Sequence, residues 1–121
     1  MHTTRALQEY GAKPYTNAAL TDTVVDAATV PSYLCSYEVS NPDSFDYLLN
    51  VFDALAADVT LGVTAPKAQY LVPAGDGTLR GAAVRDFTVP VEFAVAMSIA
   101  ITKVDGTSAP TTSCIANLGV G

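Results

Sequence analysis

The chain has 121 residues, half of them hydrophobic and 15% charged, with six basic residues against twelve acidic ones for a net charge of −6 and a pI near 4.3. That length supports one domain, two at most, and a domain this size buries roughly two thirds of its unfolded surface without help from a metal or a disulfide. The acidic balance argues against a nucleic-acid partner, whose phosphates require clustered Lys and Arg, and with His2 as the only histidine and no tryptophan a histidine-based triad or metal site lacks its parts.

Residues 1–23 differ from the rest. Arg5 and Lys13 balance Glu9 and Asp22, so the segment is neutral and the surplus negative charge lies in 24–121. No period runs through its large residues, Leu7, Tyr10, Tyr15 and Leu20. The segment reads as an extended N-terminal arm outside the core, and those four side chains as contacts to a partner, since aromatic anchors favour interfaces. The competing reading folds the arm back on its own domain. The N-terminus lacks the apolar run of about 7–15 residues of a secretory signal. No stretch reaches the ~18 apolar residues of a membrane span; the densest, 89–101, is broken by Pro90, Glu92 and Ser98.

From Val24 onward the pattern is mostly period two, which predicts strands. VVDAATV (24–30) comes first, then YLCSYEV (33–39), where Tyr33, Cys35, Tyr37 and Val39 share a face. Residues 41–58 conflict with this trend. Phe45, Leu48, Leu49, Phe52 and Leu55 recur at helical spacing behind capping residues and Pro42, so local rules predict a helix. The alternative is a strand over 46–53, buried on both sides. AQYLV (68–72), TLRGA (78–82) and DFTV (86–89) follow as short strands, with Pro90 marking an edge or a bulge.

The clearest strand is FAVAMSIAIT (93–102), strictly alternating over ten residues. Its second face is small and uncharged, which reads as a face covered by another sheet or by a subunit, with Ala94, Ala96 and Ala100 as the candidate oligomer face. The last strand is CIANLGV (114–120), with Cys114, Ala116, Leu118 and Val120 on one side. Both cysteines point with apolar residues, which reads as two free, inert thiols; the alternative is a bond tying an early strand to the last. Seven to nine such strands, counted from spacing, predict an all-β chain: a single antiparallel β-sandwich of jelly-roll or Greek-key type over 24–121.

Candidate chemistry is sparse. Asp76-Gly77-Thr78 and Asp105-Gly106-Thr107 read as hairpin turns and not as Ca²⁺ loops, which need more carboxylates at alternating positions. Asp43, Asp46, Asp53 and Asp58 suggest a solvated acidic face in preference to a carboxylate pair that cleaves sugars. Arg80 and Arg85 would meet either a partner's acids or a local Asp76 or Asp86. No nucleophile has an adjacent base, so no enzyme activity, cofactor or metal is expected.

Three segments carry a resemblance. YEVSNPDSFDYLLNVFDA (37–54) has an Asn-led turn at Asn41 and then Tyr47, Leu48, Phe52, Asp53 and Ala54; TLGVTAPKAQYLVPAGDG (60–77) has a strand ending in Val72-Pro73-Ala74-Gly75; VRDFTVPVEFAVAMSIAIT (84–102) joins a lead-in strand to a long Ala-rich one. Over 33–119 the chain resembles a family of small tailed-phage virion proteins, similar to capsid decoration (cement) proteins. Pro90-Val91-Glu92 departs from the small residue usual there. The resemblance implies strand for 46–53. It also implies a structural protein on the outer surface of a phage capsid, made in the host bacterial cytoplasm and bound to the major capsid protein as a homo-oligomer, a trimer foremost, with no contact to nucleic acid or membrane. A head-fibre, neck or tail protein is the first alternative, and a carbohydrate-binding or adhesin module the second.

Overall fold

The computed structural model describes residues 12–76 and 78–121. The chain is all-β, with eight strands in two antiparallel sheets of four. The strands are β1 (Lys13–Leu20), β2 (Val25–Ala28), β3 (Ser32–Asn41), β4 (Tyr47–Phe52), β5 (Ala68–Val72), β6 (Gly81–Phe93), β7 (Met97–Lys103) and β8 (Cys114–Val120). The first sheet has the order β1-β8-β3-β6 and the second β2-β7-β4-β5. β4 pairs with β5, β3 with β6, β2 with β7 and β1 with β8. The chain is thus one long hairpin rolled into two layers, which is the jelly-roll order.

The core lies between the layers. Tyr47, Leu49, Val51, Met97, Ile99 and Ile101 of the second sheet meet Leu34, Tyr37, Val39, Ala116 and Leu118 of the first, all buried. Each large side chain so buried contributes about 1.5–3 kcal/mol. The two sheet edges at β5 and β6 are closed by a cluster of Tyr37, Tyr70 and Phe87, with ring centroids 4.8–6.0 Å apart.

Several expectations change. The described part of the N-terminal segment is not an arm. Residues 13–20 form edge strand β1, paired to β8 from Lys13↔Val120 to Leu20↔Cys114. Thr21 then links the two layers, its carbonyl accepting from Ile101 N at 2.8 Å. The segment looked aperiodic because a bulge between Asn17 and Leu20 shifts its register; such a bulge reverses the phase of alternation.

Residues 47–52 are strand, as the resemblance implied, and the helix that local rules favour is absent; a short 3-10 turn occurs at Ala56–Asp58. Phe45, the first residue of the helical stripe, is exposed. Burial decides: Tyr47, Leu49 and Val51 face the core, while Asn50 and Phe52 are buried on the opposite face. Tertiary cover on both sides outweighs a local helical period.

The clearest predicted strand is broken. Residues 94–96 form the turn between β6 and β7, although Phe93 and Met97 both reach the core. The cause is Asp53. The N–H groups of Ala94, Val95 and Ala96 all donate to its carboxylate, at 3.1, 2.8 and 3.4 Å. Three successive amides form an anion-binding nest, and a side chain from β4's end fills it. The two short strands predicted at 78–82 and 86–89 merge instead into the single edge strand β6. Pro90 sits on that edge, beside a bulge where Leu34↔Val91 is followed by Ser36↔Asp86.

The same bulge displaces Cys35. Leu34, Tyr37 and Val39 share the core, so the predicted face of Tyr33, Cys35, Tyr37 and Val39 is split between Leu34 and Ser36. Both cysteines are free and buried. Cys35 lies level with the end of β8 and Cys114 at its start. About six strand residues, ~20 Å, separate them, far beyond the ~7 Å Cα limit of a disulfide. The connections that hold Asp76 and Asp105 are not hairpins. β5 and β7 lie in one sheet and β6 and β8 in the other, so each connection crosses between layers.

Two outcomes follow. Burial works to raise the Asp53 pKa, but hydrogen bonds from Val95, Ala94 and Ala96 and the charge of Lys67 outweigh it and hold the carboxyl below its ordinary value. The ionised form therefore favours the fold above the unfolded carboxylate pKa, and that contribution is lost as pH falls through the depressed folded value. Asp53→Asn is expected to cost about 1 kcal/mol in urea unfolding at neutral pH, the low end for an exposed turn, with the gap to wild type closing as the pH falls below the ordinary carboxylate range. Burial raises the Cys114 thiol to about 11, against a lowering by Arg80, and burial likewise raises Cys35. Neither thiol should react with a thiolate-selective reagent in the native protein, and both should react once it is unfolded.

Candidate functional site

The two outer faces of the sandwich differ. The outer face of the second sheet carries Ser98, Ala100, Thr102, Asn50 and Phe52, all buried. The chain covers them itself with the β4–β5 connection. At one edge Ala56 N donates to Asp26 Oδ1 of β2 at 2.7 Å, and Lys67 N returns the chain to β4 by donating to Val51 O at 2.9 Å. Midway, Gly62 lies against Thr107; a Cβ there would come within 2.9 Å of the Thr107 methyl. Two of the polar groups beneath are paired: Asn50 Nδ2 donates to Thr102 Oγ1 at 2.9 Å and Gln69 Nε2 donates to Asn50 Oδ1 at 2.7 Å, while the buried Ser98 hydroxyl has no hydrogen-bond partner.

This corrects the predicted oligomer face. Ala96 and Ala100 are fully buried within a single chain, while Ala94 is exposed in the Asp53 turn. The small face does need cover, and an intrachain connection supplies it. The predicted partner contacts also separate. Leu20 is a core residue with 1% of its surface exposed, and Tyr15 is half-buried against the core. Leu7 and Tyr10 lie outside the described residues.

Among the described residues, nothing covers the outer face of the first sheet. Its register gives three rows: Ala82–Ser40–Ile115, Val84–Glu38–Asn117–Thr16 and Asp86–Ser36–Gly119–Pro14. Val84 is 68% exposed and Ile115 is 37% exposed. Apart from Glu38 and Asp86 the face is uncharged and small. The lowest row forms a groove of about 470 Å³ lined by Pro14, Ser36, Glu38, Val84, Asp86 and Asn117. Gly119 makes its floor, where a Cβ would fall 2.5 Å from Ser36 Oγ. Thr16 Oγ1 donates to Asn117 Oδ1 at 3.0 Å and fixes one wall.

The other singled-out side chains hold the frame. Tyr47 donates its hydroxyl to Asp43 and accepts from Thr111 N at 3.0 Å, tying the β3–β4 and β7–β8 loops together. Asp46 accepts from Ala74 N at 2.8 Å. Asp105 is lowered to about 2 by the Ser108 hydroxyl and the Ser108 and Thr107 amides, and Asp76 accepts from Thr78 N and Leu79 N. Asp43, Asp46 and Asp53 therefore each fasten a different loop, where the sequence suggested one solvated face. Arg80 donates to Ser40 Oγ at 3.1 Å, and Arg85 lies 4.6 Å from the Phe87 ring centroid. Neither takes up the expected Asp76 or Asp86. Burial raises the Tyr37 phenol, and the Arg85 charge offsets part of that rise. Among the described residues, no group of His, Cys, Asp and Glu is placed to hold a metal ion.

Compared with protein-family models, with curated proteins and with solved structures, the chain matches none of them.

The contrast between the two faces has a direct test. Val84→Lys on the open face should shift unfolding stability by no more than about 0.5 kcal/mol. Ala100→Lys beneath the β4–β5 connection should cost at least about 3 kcal/mol, because it buries an unpaired charge. Urea denaturation measures both.

Proposed function

We propose that the protein is a structural component of a tailed-phage virion, a decoration protein that docks on the outer surface of the head and stabilises the shell. The observation that carries this reading is the open, charge-poor face of the first sheet, on a sandwich whose other face is already sealed by its own chain. Interface centres are depleted in charge and retain apolar and small uncharged side chains, and this face has that composition. The resemblance over 33–119 supports the virion setting, and the jelly roll is a common build for capsid proteins, though a fold alone does not assign a function.

Docking acts by area. A specific interface buries about 800 Å² per partner, and a protein that binds only the assembled shell shifts the equilibrium toward assembly. The partner is the major capsid protein, and the decorating unit is a symmetric oligomer, a trimer foremost. The chain is made in the host cytoplasm and ends on the capsid exterior, where its net charge of −6 keeps the outward surface soluble and away from DNA.

A second reading, carbohydrate binding, draws on a cleft of about 400 Å³ between the 62–66 loop and the 105–107 turn. Its central polar groups, Asn50 and Gln69, already satisfy each other, so decoration is preferred.

Purified protein added to heads that lack it should bind in hundreds of copies and raise the temperature at which the heads release DNA. Twelve copies or fewer would assign it to a neck or tail ring. No binding, together with a positive glycan screen, would favour the second reading.

A further inference from the structure

We infer that the groove on the open face receives a basic side chain, an arginine or lysine, from the protein surface on which this one docks. The inference deepens the docking reading above and rests on it. Glu38 lies opposite Val84, and Asp86 lies opposite Ser36 one step along the same face. That makes the two carboxylates diagonal cross-strand neighbours, with Cβ atoms about 7 Å apart or less. Two carboxylates so placed bring negative charge to one wall of the groove, and a cation set between them is attracted by both.

Among the described residues, the chain's own cations lie elsewhere. Arg80 is held at the upper rim by Ser40 Oγ and the Ser40 carbonyl. Arg85 pairs with Tyr37 in register, so it points to the core side, where it stacks on Phe87. Lys13 shares the Val120 position on that same side. Lys67 donates to the Glu92 carbonyl and lies over Phe93, and Lys103 acts on Asp43.

The shape of the groove fits the same occupant. Pro14 and Val84 offer apolar walls for an aliphatic stem, and the Ser36 hydroxyl, lying over Gly119, gives the floor a polar group. Long basic side chains bury their stems against such walls while the head group keeps polar partners. A planar guanidinium can bridge two carboxylates with parallel hydrogen bonds. A second copy of this chain is a poor occupant. A two-fold contact places the same patch on both sides, which would bring both carboxylate pairs together, and a three-fold contact would meet a neighbour whose described arginines are already engaged with Ser40 and Phe87.

The test uses the full chain, labelled with ¹⁵N and titrated with acetyl-Gly-Arg-Gly-amide and, as control, acetyl-Gly-Glu-Gly-amide. Amide shifts should cluster at Ser36, Glu38, Asp86, Asn117 and Gly119 with the Arg peptide only. They should fade between about 50 mM and about 500 mM salt and disappear in the Glu38→Gln/Asp86→Asn double variant, whose exposed positions leave the fold intact. Shifts that are absent, scattered over all acidic residues, or equal with the Glu peptide overturn the inference. So does self-association that the double variant strengthens, which would make a second copy the occupant. On heads lacking the protein, the double variant should bind at least about tenfold more weakly than wild type, and equal binding overturns the inference. If the wild type does not bind heads at all, the decoration reading falls, and the peptide titration alone decides what the groove takes.

Discussion

β4 and β7 have no face that tolerates water. Their inward side chains fill the space between the layers, and their outward ones, Asn50, Phe52, Ser98, Ala100 and Thr102, are just as buried. A sheet of this kind needs two covers. The first sheet supplies one, and the β4–β5 connection, laid across the outer surface from Asp26 to Thr107, supplies the other. Under that cover a buried polar group needs a partner; the Asn50–Thr102 and Asn50–Gln69 pairs meet that need for Asn50 and Thr102, and the Ser98 hydroxyl is left without one. Asp53, at the start of the connection, also holds the turn that brings β7 back into the sheet. The asymmetry of the molecule follows. With the long connection spent on the second sheet, the first keeps its outer face bare.

Much of the fold was legible in the sequence where one face of a strand meets the core and the other meets solvent. Residues 68–72 and 114–120 alternate cleanly and are strands with those bounds. Legibility failed where alternation has more than one cause. Residues 93–102 alternate without a break, yet the chain turns at 94–96. The reason is a carboxylate more than forty residues upstream in sequence, which local periodicity does not register. Residues 47–52 carry apolar side chains on both faces, and a strand buried on both sides cannot be told from a helix by its period alone. In β1 and β3 the bulges reverse the phase partway along, so Leu20 and Cys35 were placed on the wrong footing.

The candidate site was less legible than the fold. The small face of β7 was correctly read as needing cover, but nothing local distinguishes cover by a partner from cover by a connection in the same chain. The open groove could not be seen at all. Pro14, Ser36, Asp86 and Gly119 come from four different strands, and only the register of the sheet sets them side by side. Residues such as Glu38 and Asp86 look like ordinary solubilising charges until their neighbours are known.

The nested pairing carries a consequence for the order of events during synthesis. β4 and β5 meet early, because little chain separates them, whereas β1 must wait for β8, from the opposite end of the chain. Such distant pairings pay a large closure entropy before they return any stability, and they slow folding. Because β8 also lies between β1 and β3, the layer bearing the open face cannot be completed until β8 has left the ribosome. The groove is therefore the last part of the molecule to form, and a nascent chain has no means of engaging a partner through it before the fold is complete.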